Sequence, residues 1–109
     1  MSDFIEVNKP ASPSLIDGVI VPEKDGVFAI SATARHASNN HATPSMRLEI
    51  TINGTLDYAS KTLGWQDGPS EQQGVTTEFL RAGQQYTIEA RSFNSNADAT
   101  GISLSAKRV

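Results

Sequence analysis

The chain has no cysteine. That excludes disulfides, thiolate metal sites and cysteine nucleophiles, and it leaves the redox compartment open. Aromatic residues are scarce, at 6% of 109 residues, and there is a single tryptophan. Hydrophobic residues make up only 38%, lean for a lone domain, so burial against another chain would help. No apolar run is long enough to span a bilayer. The formal net charge of -3 lacks the basic excess that a nucleic-acid footprint requires. The opening, MSDFIEVNKPASPS, carries neither a basic n-region nor an apolar h-region, so no secretory signal is read there. The expectation is a product made in the cytoplasm, with no membrane insertion and no nucleic-acid partner. Work outside a cell would then depend on release without a signal peptide, or on carriage by a virion.

What the chain does have is alternation with a period of two, the mark of a half-buried strand. In GVFAISATARH, Phe28, Ile30, Ala32 and Ala34 fall on one face, with Ser31, Thr33 and Arg35 on the other. In MRLEITI, Met46, Leu48, Ile50 and Ile52 oppose Arg47, Glu49 and Thr51. Asn53-Gly54 follows, and TLDYASKT returns as the partner strand. Asn-Gly between two such runs signals a hairpin, because a type I′ turn needs positive φ at both central residues. VTTEFL, QYTIEARSF and GISLSAKRV supply further strands, with Tyr86, Ile88, Ala90, Ile102, Leu104 and Ala106 on their apolar faces. No helix is expected. The length allows one domain, and short strands between regular turn signals predict an all-β antiparallel β-sandwich or barrel over residues 19–109. Its core is expected to hold Phe28, Leu48, Ile50, Ile88 and Leu104. Loops are expected over ASNNHATPS, GWQDGPSEQQG and NSNADAT.

Residues 1–18 read differently. Pro10 and Pro13 remove ladder donors, and the apolar pieces are short, so the segment is expected to be an extended N-terminal arm. Phe4 and Ile5 are then the hooks by which the arm docks on a neighbouring subunit or an underlying surface. Deleting residues 1–10 should leave the sandwich folded and weaken assembly.

From about Val21 onward the chain resembles the C1q/tumour-necrosis-factor-like jelly roll. The matching positions are Pro22, Gly26, Phe28 and Ile30, the strand Leu48 to Thr55 ending in its Asn-Gly turn, Leu80 and Gly83, and the closing ATGISLSAKRV. Gln84 stands where that family usually has Asp. The resemblance implies a jelly-roll sandwich, a homotrimer whose strand faces pack about an axis, and a binding or structural role.

Candidate chemistry is thin. His36 and His41 lie five apart with no carboxylate nearby in sequence, and zinc wants at least three protein ligands. Asn94, Asn96 and Asp98 start a calcium-loop pattern, but Ala99 and Ser105 stand where the turn glycine and the closing glutamate belong. Neither a metal nor a cofactor is expected. No Gly-x-Ser-x-Gly elbow occurs, and Glu78 and Glu89 read as outer-face strand residues, so no catalytic activity is expected. Trp65 sits in the polar stretch LGWQDGPSEQQG and either caps the open end of the sandwich or stacks on a ligand, with Asp67 beside it for hydrogen bonds. Asn39, Asn40 and His41 complete the expected ligand or interface set. Two functions follow as expectations. One is a trimeric particle-surface module of a virion (decoration, cement or fibre tip) that contacts a capsid or tail protein. The other is a lectin that binds a cell-surface glycan through the Trp65 loop.

Overall fold

A computed structural model describes residues 4–10, 15–36, 47–60, 70–93 and 99–109. Among these residues lie eight strands: β1 (Ile5–Pro10), β2 (Leu15–Ile20), β3 (Gly26–His36), β4 (Arg47–Ile52), β5 (Thr55–Ala59), β6 (Ser70–Leu80), β7 (Tyr86–Phe93) and β8 (Ala99–Arg108). They form two four-stranded sheets, ordered β1-β8-β3-β6 and β2-β7-β4-β5, with antiparallel neighbours throughout. Within this order β1 pairs β8, β2 pairs β7, β3 pairs β6 and β4 pairs β5. The chain is thus one long hairpin with the β4–β5 turn at its tip, rolled so that β3 meets β8 and β4 meets β7. This is the jelly-roll sandwich.

The inward faces follow the alternation. Phe28, Ile30, Leu48, Ile50, Ile88 and Leu104 are buried, and the five expected core residues are each no more than 1% exposed. Asn53 and Gly54 have φ of 51° and 82°, as the type I′ hairpin demands. Asn53 also fixes that hairpin to β7: its N–H donates to the Thr87 carbonyl and its Oδ1 accepts from the Thr87 N–H, both at 2.8 Å. At the same end, the Arg108 guanidinium lies 4.7 Å from the Phe28 ring centroid and donates to the Lys24 and Asp25 carbonyls.

The expected arm is not an arm. β1 pairs with β8 from Ile5↔Ala106 to Pro10↔Gly101, and β2 pairs with β7 from Leu15↔Arg91 to Ile20↔Tyr86. Ile5, Ile16 and Ile20 are buried in this chain's own core, so Ile5 has no side chain left for a neighbour. Ile5 and Gly18 meet between the sheets, where a Cβ on Gly18 would fall 2.7 Å from Ile5 Cγ2. Pro10 is compatible with β1 because it ends an edge strand, whose free side needs no donor. Phe4 stays exposed. The sandwich therefore begins at β1, not at residue 19. Two smaller corrections concern β6. Its strand already runs from Ser70, so SEQQG belongs to the ladder and not to the Trp65 loop. Glu78 pairs with buried Phe28 and faces inward, whereas Phe79 takes the outer face. A strand assigned as VTTEFL without its register leaves that choice of face open, and one residue of slip inverts it.

Two stability outcomes are expected. Leu48→Ala or Ile50→Ala should cost about 2–5 kcal/mol in denaturant unfolding, as should Ile5→Ala. Removing residues 1–10 should lower the melting temperature sharply, since it strips an edge strand and Ile5 from the core. An unchanged midpoint would restore the arm.

Candidate functional site

Four inter-strand segments, 11–14, 37–46, 61–69 and 94–98, join their strands at one end of the sandwich. The register requires it: His36 pairs with Ser70 and with Ala99, Arg47 with Phe93, and Pro10 with Gly101. The expected residues Asn39, Asn40, His41, Trp65 and Asp67 belong to two of these segments and lie outside the described residues, as do Asn94, Asn96 and Asp98. The topology brings the roots of their loops to one end.

The site that the described residues do form is on the outer face of the β2-β7-β4-β5 sheet. Alternation that sends Leu48, Ile50, Ile88 and Ala90 inward sends Glu49, Thr51, Thr87, Glu89 and Arg91 outward. Together with Gly54 these five line a groove of 270 Å³. Register sets their neighbours. Glu49 lies directly opposite Arg91, and Thr51 opposite Glu89. Along the strands Arg91 Nη2 reaches Glu89 Oε1 at 3.2 Å, and Arg47 bonds Glu49. The charges form a zigzag, Arg47, Glu49, Arg91, Glu89, in which each cation touches or faces an anion. Such a ladder holds long side chains in place at the sheet surface. The Glu49 side chain is 15% exposed, while that of Arg91 is 48% exposed. The acceptor is thus recessed in the floor and the donor stands at the rim. Asp17 faces Glu89 from β2, and Val19 and Leu56 supply exposed apolar borders on either side. The two threonines add hydroxyls that both donate and accept.

The outer face of the other sheet has different chemistry. Val75 lies opposite Ser31 and is separated along β6 by Thr77 from Phe79, which pairs with and adjoins Val27. Val109, whose N–H donates to the Val27 carbonyl, lies beside them. Val27, Val75, Phe79 and Val109 are all exposed. The rest of the centre of this face is small, with Ala29, Ser31, Thr77, Ser103 and Ser105. Lys107, opposite Ala29 and two residues before Val109 on this face, pairs with Glu6 at 3.1 Å, and a second ion pair, Arg35–Glu71 at 3.2 Å, lies at the far end of the face.

Composition and motif reading did not find the groove, because each of its residues taken singly is an ordinary solvated strand residue. The one signal was positional: Arg47-x-Glu49-x-Thr51 and Thr87-x-Glu89-x-Arg91 are mirror-ordered, and a two-residue offset in the antiparallel register sets Glu49 opposite Arg91.

No family model matches the chain, and no curated protein matches it. Among solved structures it is similar to a family 35 carbohydrate-binding module from Clostridium thermocellum, with 17% identity and a TM-score of 0.51 over 98% of this chain and 89% of that one. It is also similar to Eiger TNF from S. frugiperda, with 15% identity and a TM-score of 0.43 over 98% of this chain and 93% of that one. A third likeness is to dimeric latent PorU from Porphyromonas gingivalis, with 10% identity and a TM-score of 0.48 over 97% of this chain but 10% of that one. The first of these agrees with the jelly-roll sandwich along nearly its whole length.

Because the ladder is at the surface, Arg91→Ala should change unfolding free energy by no more than about 1 kcal/mol. A larger loss in chemical denaturation would make the ladder a structural element of the sheet and not a presented one.

Proposed function

We propose that this chain is a non-catalytic binding module that self-associates through one sheet and takes a hydroxyl-rich ligand, an oligosaccharide, on the other. The observation that carries the reading is the contrast between the two outer faces. A sugar offers hydroxyls that each donate and accept. The groove answers with recessed carboxylates at Glu49 and Glu89, a guanidinium at Arg91 and hydroxyls at Thr51 and Thr87. Val19 and Leu56 provide apolar surface for the C–H faces of a sugar ring. The carbohydrate-binding module with a similar sandwich supports this ligand class. The proposed ligand site is on the sheet, and the Trp65 loop stands as the other lectin surface.

Self-association uses Val27, Val75, Phe79 and Val109. A row of adjoining exposed apolar residues, Val109, Val27 and Phe79, with Val75 further along β6 and Lys107 at its border held by Glu6, suits a sheet face that packs against its own copies. A homotrimer is the proposed state, and it would turn a weak single-site affinity into avidity. A virion-surface role, with a capsid or tail protein as partner, rests on the same face and is the second reading.

A glycan array with the full chain tests the first reading. Clear hits should disappear with Arg91→Ala and Glu49→Gln and survive Phe79→Glu at reduced apparent affinity. Loss on Trp65→Ala with the groove variants unaffected would move the site to the loop end. Sedimentation should give a trimer that Phe79→Glu converts to monomer. A two-fold dimer unaffected by Phe79→Glu would contradict the proposed face. Co-purification with a capsid or tail would favour the second reading.

A further inference from the structure

The sheet edges are β1 and β6 in one sheet and β2 and β5 in the other. Three of them are short or broken. β1 ends in Pro10, β2 has 6 residues and contains Gly18, and β5 has 5 residues and a register shift against β4. β6 is different. It runs for 11 residues, pairs with β3 without a shift, and has neither proline nor lysine.

The direction of its backbone groups follows from the far side of β3. The Val27 carbonyl accepts from the Val109 N–H, so Val27 turns its backbone to β8. Along an antiparallel strand that direction alternates. Val27, Ala29 and Ser31 therefore bond β8, while Phe28, Ile30 and Ala32 bond their β6 partners Glu78, Thr76 and Gly74. Gln73, Val75, Thr77 and Phe79 are left with N–H and C=O directed away from the sheet. Tyrosine hydroxyls cap both ends of this row: Tyr58 donates to the Gln73 carbonyl at 3.4 Å, and Tyr86 accepts from the Arg81 N–H at 2.9 Å. Between the caps, no other described residue bonds Val75, Thr77 or Phe79 on that side. Their outward backbone is a template for one more strand.

The inward side of the edge selects what that strand carries. Asp57 Oδ2 accepts from Thr76 Oγ1 at 2.7 Å, which brings the carboxylate of β5 to β6, and Glu78 follows Thr76 on the same face. Neither acid is in an ion pair among the described residues. Self-pairing of two β6 edges runs into this charge. The register that uses all the free groups centres on Thr77 and sets Val75 against Phe79 of the second copy. It also gathers Asp57 and Glu78 of both copies at one seam with no cation. Inward charge of one sign guards an edge against its own copy and admits a strand of opposite charge.

We propose that the Val75–Phe79 edge of β6 is a docking site for an extended segment of a partner protein. The segment adds as a further antiparallel strand, turns a lysine or arginine inward to Asp57 and Glu78, and lays apolar side chains outward beside Val75 and Phe79. The site goes beyond the sugar reading, since none of its residues lines the groove and either can fail alone.

The test uses short synthetic strands that alternate valine and threonine, with lysine, threonine or glutamate at the central inward position. Fluorescence anisotropy and amide hydrogen exchange on the full chain are the readouts. In the free chain the amides of Val75, Thr77 and Phe79 should exchange fast, and those of Gly74, Thr76 and Glu78 slowly. The lysine strand should protect the fast set and bind about tenfold more tightly than the glutamate strand. Thr77→Pro removes an edge donor without touching the β3 ladder, and should abolish binding with the fold retained. Glu78→Lys, which leaves the backbone donors in place, should reverse the order of the lysine and glutamate strands. Equal protection of both amide sets in the free chain, or binding that ignores the central residue, would overturn the proposal. So would edge protection that grows with chain concentration alone, which would hand the edge to a second copy.

Discussion

The central constraint on this molecule is the pairing of β3 with β8, two long strands far apart in sequence that lie side by side in the middle of one sheet. Their inward residues alternate in size across the ladder: Ile30 faces Ala106, Ala32 faces Leu104, and Ala34 faces Ile102. Large against small keeps the sheet surface level at native packing density. β1 and β6 then add on either side, with Ile5 beyond Ala106 and Gly74 beyond Ala32. The opposing sheet fits the same relief, since Gly18 leaves the space that Ile5 fills and Gly74 leaves the space that Tyr58 fills. In a sandwich this lean in aromatics, the large inward side chains of the β3–β8 ladder at Ile30, Leu104 and Ile102 each meet an alanine.

That inward order dictates the outer faces. Once Ile50 and Ile88 point in, Glu49 and Glu89 must point out, and antiparallel register aligns their arginines into a ladder. Once Phe28, Ile30 and Leu80 point in, Val27, Val75 and Phe79 must point out, away from this chain's own core. The β2-β7-β4-β5 sheet carries the charge ladder and the other sheet an apolar row with two ion pairs on the same face, and the proposed division between ligand and self-contact rests on that difference.

Much of the fold was legible in the chain. Phe28, Leu48, Ile50, Ile88 and Leu104 stood out as core because their strands alternate cleanly, and Asn53-Gly54 stood out as a hairpin because few other pairs adopt its φ values. The first two strands were not legible as strands. Pro10 and Pro13 read as breakers, and IEV and LIDGVI are too short for alternation to outweigh them. Edge position makes Pro10 acceptable, and edge position is a tertiary fact. The face of Glu78 was missed because Val75, Phe79 and Leu80 make both faces of β6 apolar in part, so periodicity does not choose between them. The groove was illegible for another reason: its residues come from two strands whose alignment exists only once register is known. Trp65, the most conspicuous residue in the sequence, belongs to a loop whose root the topology places at the far end from the Asn53-Gly54 hairpin.

The most direct measurement is residue-resolved chemical-shift mapping of the full chain across a dilution series, repeated with the strongest oligosaccharide from the array. The account predicts that dilution moves the signals of Val27, Val75, Phe79 and Val109 and leaves Glu49, Thr51, Thr87, Glu89 and Arg91 in place, while the sugar does the reverse. Both series moving one common set of residues, or neither touching either face, would contradict the separation of the two roles.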